Sequence, residues 1–381
     1  MSRRGRVLVL SASIGAGHVA AGRALEAAFG EHGDPCLHVD LLDYTSAPFR
    51  AMYRRTYFDL IRTAPDLIDW LGKRMDRHPS ELPTRARRVR ARLTRLVSYQ
   101  LPAVLRDFRP DLLVHTHFLP PEIVSTLPLR ASVPQAVVVT DYGAHALWLQ
   151  PHVLRYFVAA EEVAVHLRAH GVDEDRVEVT GIPIDRAYAE RADPAAARRR
   201  YAIGSERDVL LLMAGGMDRR TLTTLLGELE TLRWPLDAVV VCGRTPDLLE
   251  ATADAAERAD GPTRIHPVGY THDVPQLMAA ADLVAGKPGG LTVSEALASG
   301  TPFAVVQPYP LQEEANANYL LEHGAGVRID PLSTFGHKIR RLLGDPDRRA
   351  AMRDAALRLG RPHAATDVAA GCRRLLLERA A

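Results

Sequence analysis

Residues 6–18 read RVLVLSASIGAGH. Arg6–Leu10 is a short run rich in Val and Leu, the pattern of a strand buried on both faces. Gly15 and Gly17 end it in a turn, and Val19–Phe29 then carries helical periodicity. Strand, Gly-rich turn and helix together open a βαβ unit. Outward from this stretch the same alternation recurs. Cys36–Leu41, Asp111–His115, Gln135–Thr140, Arg155–Ala159 and Val177–Thr180 are further apolar runs bounded by turn residues, with helical patterns such as Glu161–His170 between them. A second set follows at Val209–Met213, Ala238–Cys242, Arg264–Val268, Asp282–Ala285, Phe303–Gln307 and Val327–Ile329.

Strands alternating with helices require right-handed crossovers and a parallel sheet covered on both faces. The expected class is therefore α/β, with two tandem, doubly wound, Rossmann-like domains facing a cleft. Ligands in such domains sit outside the carboxyl ends of the strands. The Ala- and Arg-rich stretch Asp185–Arg207 has no strand, and the domain boundary is placed there. This gives a first domain over 1–190, a second over 205–345, and helices over 346–381.

Composition narrows the classes. The chain has 381 residues and a mass of 41.8 kDa, with 47% hydrophobic and 25% charged residues. That usage excludes disordered, collagenous and coiled-coil chains. No apolar run reaches the roughly 18 residues that span a bilayer, and the first ten residues are too short an apolar start for a signal peptide. Cys36, Cys242 and Cys372 are odd in number and far apart, which makes neither a metal pattern nor a disulfide framework. A reduced, cytoplasmic setting is expected.

One region departs from the alternation. Residues 44–109 hold no convincing strand; they read as aromatic-rich helix (Phe49, Tyr53, Tyr57, Trp70) followed by a basic stretch. Between Arg50 and Arg109 lie fifteen basic and six acidic residues, a net +9 within a chain of net +2. Arg85, Arg88, Arg92 and Arg95 recur at helical spacing, with Val89, Leu93, Leu96 and Leu101 between them. A basic amphipathic helix lies in the headgroup plane of an anionic membrane. A nucleic-acid partner is not expected, because the pattern contains no recognised docking module.

Two turns carry the chemistry. At the first, Gly15 and Gly17 let backbone N–H groups approach an anion at a helix start. Gly15-x-Gly17-x-x-Ala20, with Asp40 about 20 residues on, also meets the relaxed dinucleotide fingerprint, so a nicotinamide-dependent dehydrogenase stays open here, as does a purely structural turn. His18 stands where the helix dipole opposes imidazolium, which suits a neutral base; a packing role is equally open. At the second turn, Gly286-Lys-Pro-Gly289-Gly290-Leu-Thr292-Val-Ser-Glu295 follows an apolar strand. Gly289 and Gly290 open a helix and make a second anion site. Glu295 suits a pair of vicinal hydroxyls such as a ribose offers, or merely complements the dipole. Gln312, Glu313 and Asn316 at the next helix start suit a polyhydroxylated ligand, or a capping cluster. No Asp-x-Asp metal motif stands at a strand end, and no metal or cofactor is expected.

In order along the chain, SASIGAGH, TDYGAHALW, GIPID, KPGGLTVSEAL and QEEANAN resemble the glycosyltransferases of the monogalactosyldiacylglycerol synthase and processive diacylglycerol glucosyltransferase type. The resemblance implies the GT-B architecture and inverting, metal-independent transfer from a UDP-sugar to a lipid acceptor, diacylglycerol, at the inner face of the cell membrane. It implies that His18 is the acceptor-activating base, with Gly15, Gly17, Asp141 and His145 on the acceptor side, Asp141 beside the chemistry. It places Gly289 and Gly290 on the diphosphate, Glu295 on the uridine ribose, and Gln312, Glu313 and Asn316 on the sugar. Gly215, Gly216, Arg244 and Thr292 fall on the donor side as well. The loop Ala214-Gly-Gly-Met-Asp-Arg-Arg220 is shorter than is usual in that family, and Arg219 or Arg220 stands where it could compensate. LTVSE is shared with the murein-precursor N-acetylglucosaminyltransferase, the second reading.

Overall fold

A computed structural model describes residues 4–51, 100–127, 133–190 and 192–379. The described strands form two six-stranded, all-parallel sheets. The first contains β1 (Val7–Ser11), β2 (Cys36–Asp40), β3 (Leu112–His115), β4 (Gln135–Val138), β5 (Val153–Val158) and β6 (Val177–Val179), in the order β2-β1-β3-β4-β5-β6. The second contains β7 (Asp208–Met213), β8 (Leu236–Val241), β9 (Arg264–Val268), β10 (Leu283–Gly286), β11 (Phe303–Val306) and β12 (Gly326–Ile329), in the order β12-β11-β10-β7-β8-β9. Every strand lies within two or three residues of an apolar run read from the sequence, and two tandem parallel α/β sheets are what those runs implied.

The reason is visible in β1. Alternate side chains of a strand point to opposite faces. Val7 and Val9 pack with Leu25 and Phe29 of α1 (Gly17–Glu31), while Leu8 and Leu10 pack with Leu101 and Leu105 of α2 (Leu101–Phe108) and Ile123 of α3 (Leu119–Val124). All four are fully buried. Burying one such side chain stabilises by about 1.5–3 kcal/mol, so a strand with two covered faces reads as an unbroken apolar run. The remaining helices are α4 (Glu161–Ala169), α5 (Pro194–Arg200), α6 (Arg219–Glu230), α7 (Pro246–Arg258), α8 (Val274–Ala280), α9 (Gly290–Ala298), α10 (Gln312–Glu322), α11 (Phe335–Leu343), α12 (Pro346–Leu359) and α13 (Ala364–Glu378).

The chain divides into two compact units, one of residues 1–186, 310–312 and 363–381 and another of 187–309 and 313–362. The C-terminal helices do not stay together. α12 packs on α9, with Gly360 against the backbone of Leu297. α13 belongs to the first unit: Val368, Ala369 and Cys372 join the core of β1, β3 and β4, and Arg374 meets Glu178 at 2.6 Å. Glu178 also holds Arg155 at 2.7 Å. Among the described residues no helix is long and apolar enough to cross a membrane. The four arginines 85, 88, 92 and 95 lie outside the described residues.

Candidate active site

In each sheet the chain reverses its direction of winding at one point. The first sheet has β1 flanked by β2 and β3, and the second has β7 flanked by β8 and β10. A crevice opens at the carboxyl ends of the strands at such a switch point. Both Gly-rich turns stand there.

In the first unit, Gly15 takes φ +86°, a left-handed conformation that side chains disfavour. Ser13 and Leu42 donate their backbone N–H groups to Asp40 Oδ1, each at 3.1 Å. Asp40 is therefore engaged through Oδ1 in shaping the turn. Gly22 lets α1 lie close on β2: a Cβ there would fall 2.3 Å from His38 Nε2. His38 Nε2 in turn lies 2.9 Å from Ser11 Oγ.

The turn delivers His18 to the ends of β3 and β4. Its Nδ1 lies 2.8 Å from the Thr116 carbonyl oxygen and 2.9 Å from Thr140 Oγ1. The Thr116 hydroxyl donates back to the His18 carbonyl at 2.9 Å. A carbonyl only accepts, so Nδ1 carries the proton and Nε2 keeps the lone pair. Loss of hydration on burial lowers the His18 pKa to about 4, against the Thr116 bond, which raises it. The ring is neutral at neutral pH.

His117 lies edge-on to His18, with ring centroids 4.5 Å apart. The Leu119 N–H donates to its Nδ1 at 3.0 Å, so His117 carries its proton on Nε2, the opposite tautomer. Burial and the neighbouring His18 and His145 hold its pKa well below the usual histidine range. Phe118, His145 and Trp148 continue the aromatic cluster, with Phe118 and His145 centroids 5.0 Å apart. Burial lowers His145 to about 4, and His166 adds to the shift. Asp141 follows Thr140 in the same loop and is half-buried. The hydrogen bonds of His18 go to Thr116 and Thr140, and Asp141 is not among its partners.

In the second unit, Gly289 caps α9 in an extended conformation and Gly290 is its first residue. The Gly289 N–H closes the turn on Lys287 O at 2.9 Å. Asn316 is fully buried and donates from Nδ2 to Pro288 O at 2.9 Å. It ties α10 to the turn that opens α9. Glu295 and Thr292 lie half-buried on the first turns of α9. Glu313 Oε2 accepts the Tyr309 N–H at 2.6 Å. Burial raises the Glu313 pKa, opposed by that bond and by Lys287. Gln312 opens α10 beside it. Gly215 and Gly216 follow β7, Gly216 at φ +81°, with open space where a Cβ would point. Arg244 stacks on Tyr270, 4.1 Å from the ring centroid.

The sequence reading missed several neighbours. Lys287 sets its ammonium 3.5 Å from the Tyr309 ring centroid. Burial of Asp218 is outweighed by the Thr221 N–H and hydroxyl and by Lys287, and its pKa falls below the carboxylate norm. Thr116, His117 and Thr140 carry the placement of His18. Their signal was present: 116, 117 and 140 lie just past the ends of apolar strands, where ligands gather. Among the described residues no group of three or more His, Cys, Asp or Glu is placed to hold a metal ion.

Two tandem Rossmann-like units with a Gly-rich turn at each switch point define a GT-B type protein. MurG of Acinetobacter baumannii has this fold with a TM-score of 0.61, at 16% identity over 97% of this chain and 99% of its own. A Staphylococcus aureus MnaA–UDP co-structure gives 0.64, at 14% identity over 96% and 94%. Residues 18–184 match the family model of monogalactosyldiacylglycerol (MGDG) synthase, and 219–367 that of the glycosyltransferase family 28 C-terminal domain. A processive diacylglycerol beta-glucosyltransferase of Bacillus licheniformis is 29% identical over 65% of this chain. The match spans 64% of that relative's length. A protein of the same name from Bacillus mycoides is 27% identical over 96% of this chain and 92% of its own. The two matched segments and these relatives make the chain similar to the glycosyltransferases of the monogalactosyldiacylglycerol synthase and processive diacylglycerol glucosyltransferase type.

Proposed function

We propose that the protein transfers a hexose from a UDP-sugar to diacylglycerol, with inversion, at an anionic membrane surface. The observation that carries this reading is the fixed tautomer of His18, a neutral histidine whose Nε2 is left as the acceptor. The acceptor hydroxyl gives its proton to Nε2 as its oxygen bonds to the anomeric carbon. The bond from that carbon to the diphosphate oxygen breaks, and UDP leaves with the electron pair. A positioned general base typically contributes 10²–10⁴-fold. Backbone N–H groups at the start of α9 meet the charge growing on the diphosphate, an arrangement already oriented before reaction. Glu295 takes the ribose hydroxyls, Gln312 and Glu313 take the sugar, and Asn316 keeps the turn in place for them.

The names of the relatives support diacylglycerol as acceptor, and the UDP bound in a structural neighbour supports the donor class. The net +9 of residues 50–109 supports the membrane surface. Incubation with diacylglycerol and a panel of UDP-sugars, read by mass spectrometry and by NMR of the anomeric proton, tests the reading. A β-linked monohexosyl lipid from UDP-glucose or UDP-galactose is expected. Product formed solely from UDP-N-acetylglucosamine and a polyprenyl-linked acceptor would turn the assignment to the murein-precursor type.

A further inference from the structure

We infer that Thr140 is a positioning residue: its hydroxyl, together with the Thr116 carbonyl, forms an uncharged fork that holds His18 in the tautomer that accepts a proton at Nε2. The inference rests on the reading of His18 as the base. It starts from three distances. His18 Nδ1 is 2.8 Å from Thr116 O and 2.9 Å from Thr140 Oγ1, and Thr140 Oγ1 is 3.4 Å from Thr116 O. These three contacts have one consistent proton arrangement. Nδ1–H points at both oxygens, and the Thr140 hydroxyl turns its own hydrogen to the Thr116 carbonyl. If the hydroxyl donated to Nδ1 instead, that nitrogen's lone pair would face the carbonyl lone pairs at 2.8 Å. Thr140 is buried, as is Thr116, so water does not readily replace either acceptor.

The chemistry of the fork differs from that of a carboxylate. A carboxylate beside a catalytic histidine both orients the ring and stabilises its charged form. Two neutral oxygens orient it and stabilise the charge less. They leave the base neutral throughout the physiological range, ready for each turnover. When the acceptor proton arrives at Nε2, the imidazolium strengthens its Nδ1–H bonds to both oxygens. The contribution of Thr140 is therefore felt in the transition state more than in substrate binding. That assigns it to kcat.

The test uses the whole chain and four variants, with kcat and KM measured on UDP-glucose and diacylglycerol. Thr140→Val, which is nearly isosteric, should lower kcat by about three- to tenfold, the range of one neutral hydrogen bond, and leave KM for the donor unchanged. Thr140→Ser should restore kcat to within about twofold of the parent, since the hydroxyl returns. In a His18→Ala background, Thr140→Val should cost nothing further, because the group through which it acts is gone. An equal loss in both backgrounds, or no loss in the parent, overturns the inference. Thermal melting verifies each fold, and Thr140→Ala replaces Thr140→Val if the latter does not fold.

Long-range ¹⁵N–¹H spectra of the histidine rings give a readout independent of turnover, with His18→Ala identifying the signal. The parent should show His18 with Nδ1 protonated, and Thr140→Val should give the other tautomer a measurable share. A parent His18 protonated on Nε2, or a tautomer ratio unmoved by Thr140→Val, overturns the fork. Near-normal turnover of His18→Ala with the tautomer shift intact instead removes the base reading and keeps the fork as a structural feature.

Discussion

His115 makes the first unit sensitive to acid. It ends β3, fully buried, and its Nε2 lies 3.1 Å from the Gln135 side-chain oxygen at the start of β4. That oxygen accepts, so Nε2 holds the proton and Nδ1 the lone pair. Nδ1 is buried and has no hydrogen-bond partner. A second proton there would be an uncompensated interior charge. Burial accordingly lowers the pKa to about 3, opposed by the Gln135 bond. In the unfolded chain the ring returns to its ordinary value of about 6.5. Below that pH the unfolded chain binds a proton that the native state refuses, so stability falls with falling pH between about 6.5 and 3 and is fully present above. Between pH 7 and 5 the loss from this one ring is about 1.9 kcal/mol, from the unfolded-state titration at 1.36 kcal/mol per pH unit. His115→Leu with Gln135→Leu replaces both partners by apolar groups, which leaves no orphaned polar atom. Urea unfolding at pH 7 and pH 5, followed by fluorescence of the buried Trp148, gives the pH loss for parent and variant. The difference between the two losses cancels the other titrating groups and should be about 2 kcal/mol. A difference below about 0.5 kcal/mol would mean that native His115 takes up the proton, and would refute the reasoning.

The catalytic counterpart concerns His18. Because its pKa lies near 4, kcat/KM should change by less than about 1.2-fold between pH 7.5 and 5.5, where an ordinary histidine base would cost about tenfold; a tenfold fall that vanishes in His18→Ala would count against the neutral base. Glu295→Ala should weaken UDP by roughly 1.5–3 kcal/mol in calorimetry, and the parent should bind 2′,3′-dideoxy-UDP equally weakly; undiminished binding would remove the ribose role. Replacing Arg85, Arg88, Arg92 and Arg95 by glutamine should abolish flotation with phosphatidylglycerol vesicles while UDP affinity stays at the parent value. Equal binding of the parent to neutral vesicles would refute the electrostatic reading. Gly22→Ala puts a methyl 2.3 Å from His38 Nε2 and should cost about 1–3 kcal/mol of stability in urea unfolding, the range for overpacking; an unchanged midpoint would show that the His38–Ser11 pair yields freely.

The strands were legible because a parallel strand covered on both faces must be apolar at every position. QAVVVT announced β4 without any knowledge of its neighbours, and the residue after its apolar run, Thr140, stands where ligands gather. What could not be read was which strand ends meet. His18 is 98 residues from Thr116 and 122 from Thr140, and no local pattern encodes contacts at that separation. The same limit explains α13, whose apolar face specifies burial but not the unit that covers it. Asn316 is a different case, because its burial was readable. Asn316, Ala317 and Leu320 are all buried in α10, the i, i+1, i+4 pattern of an inward helical face. A polar residue on that face has to spend its hydrogen bonds inside the protein. The Pro288 carbonyl is the acceptor there, so Asn316 ties α10 to the turn that opens α9.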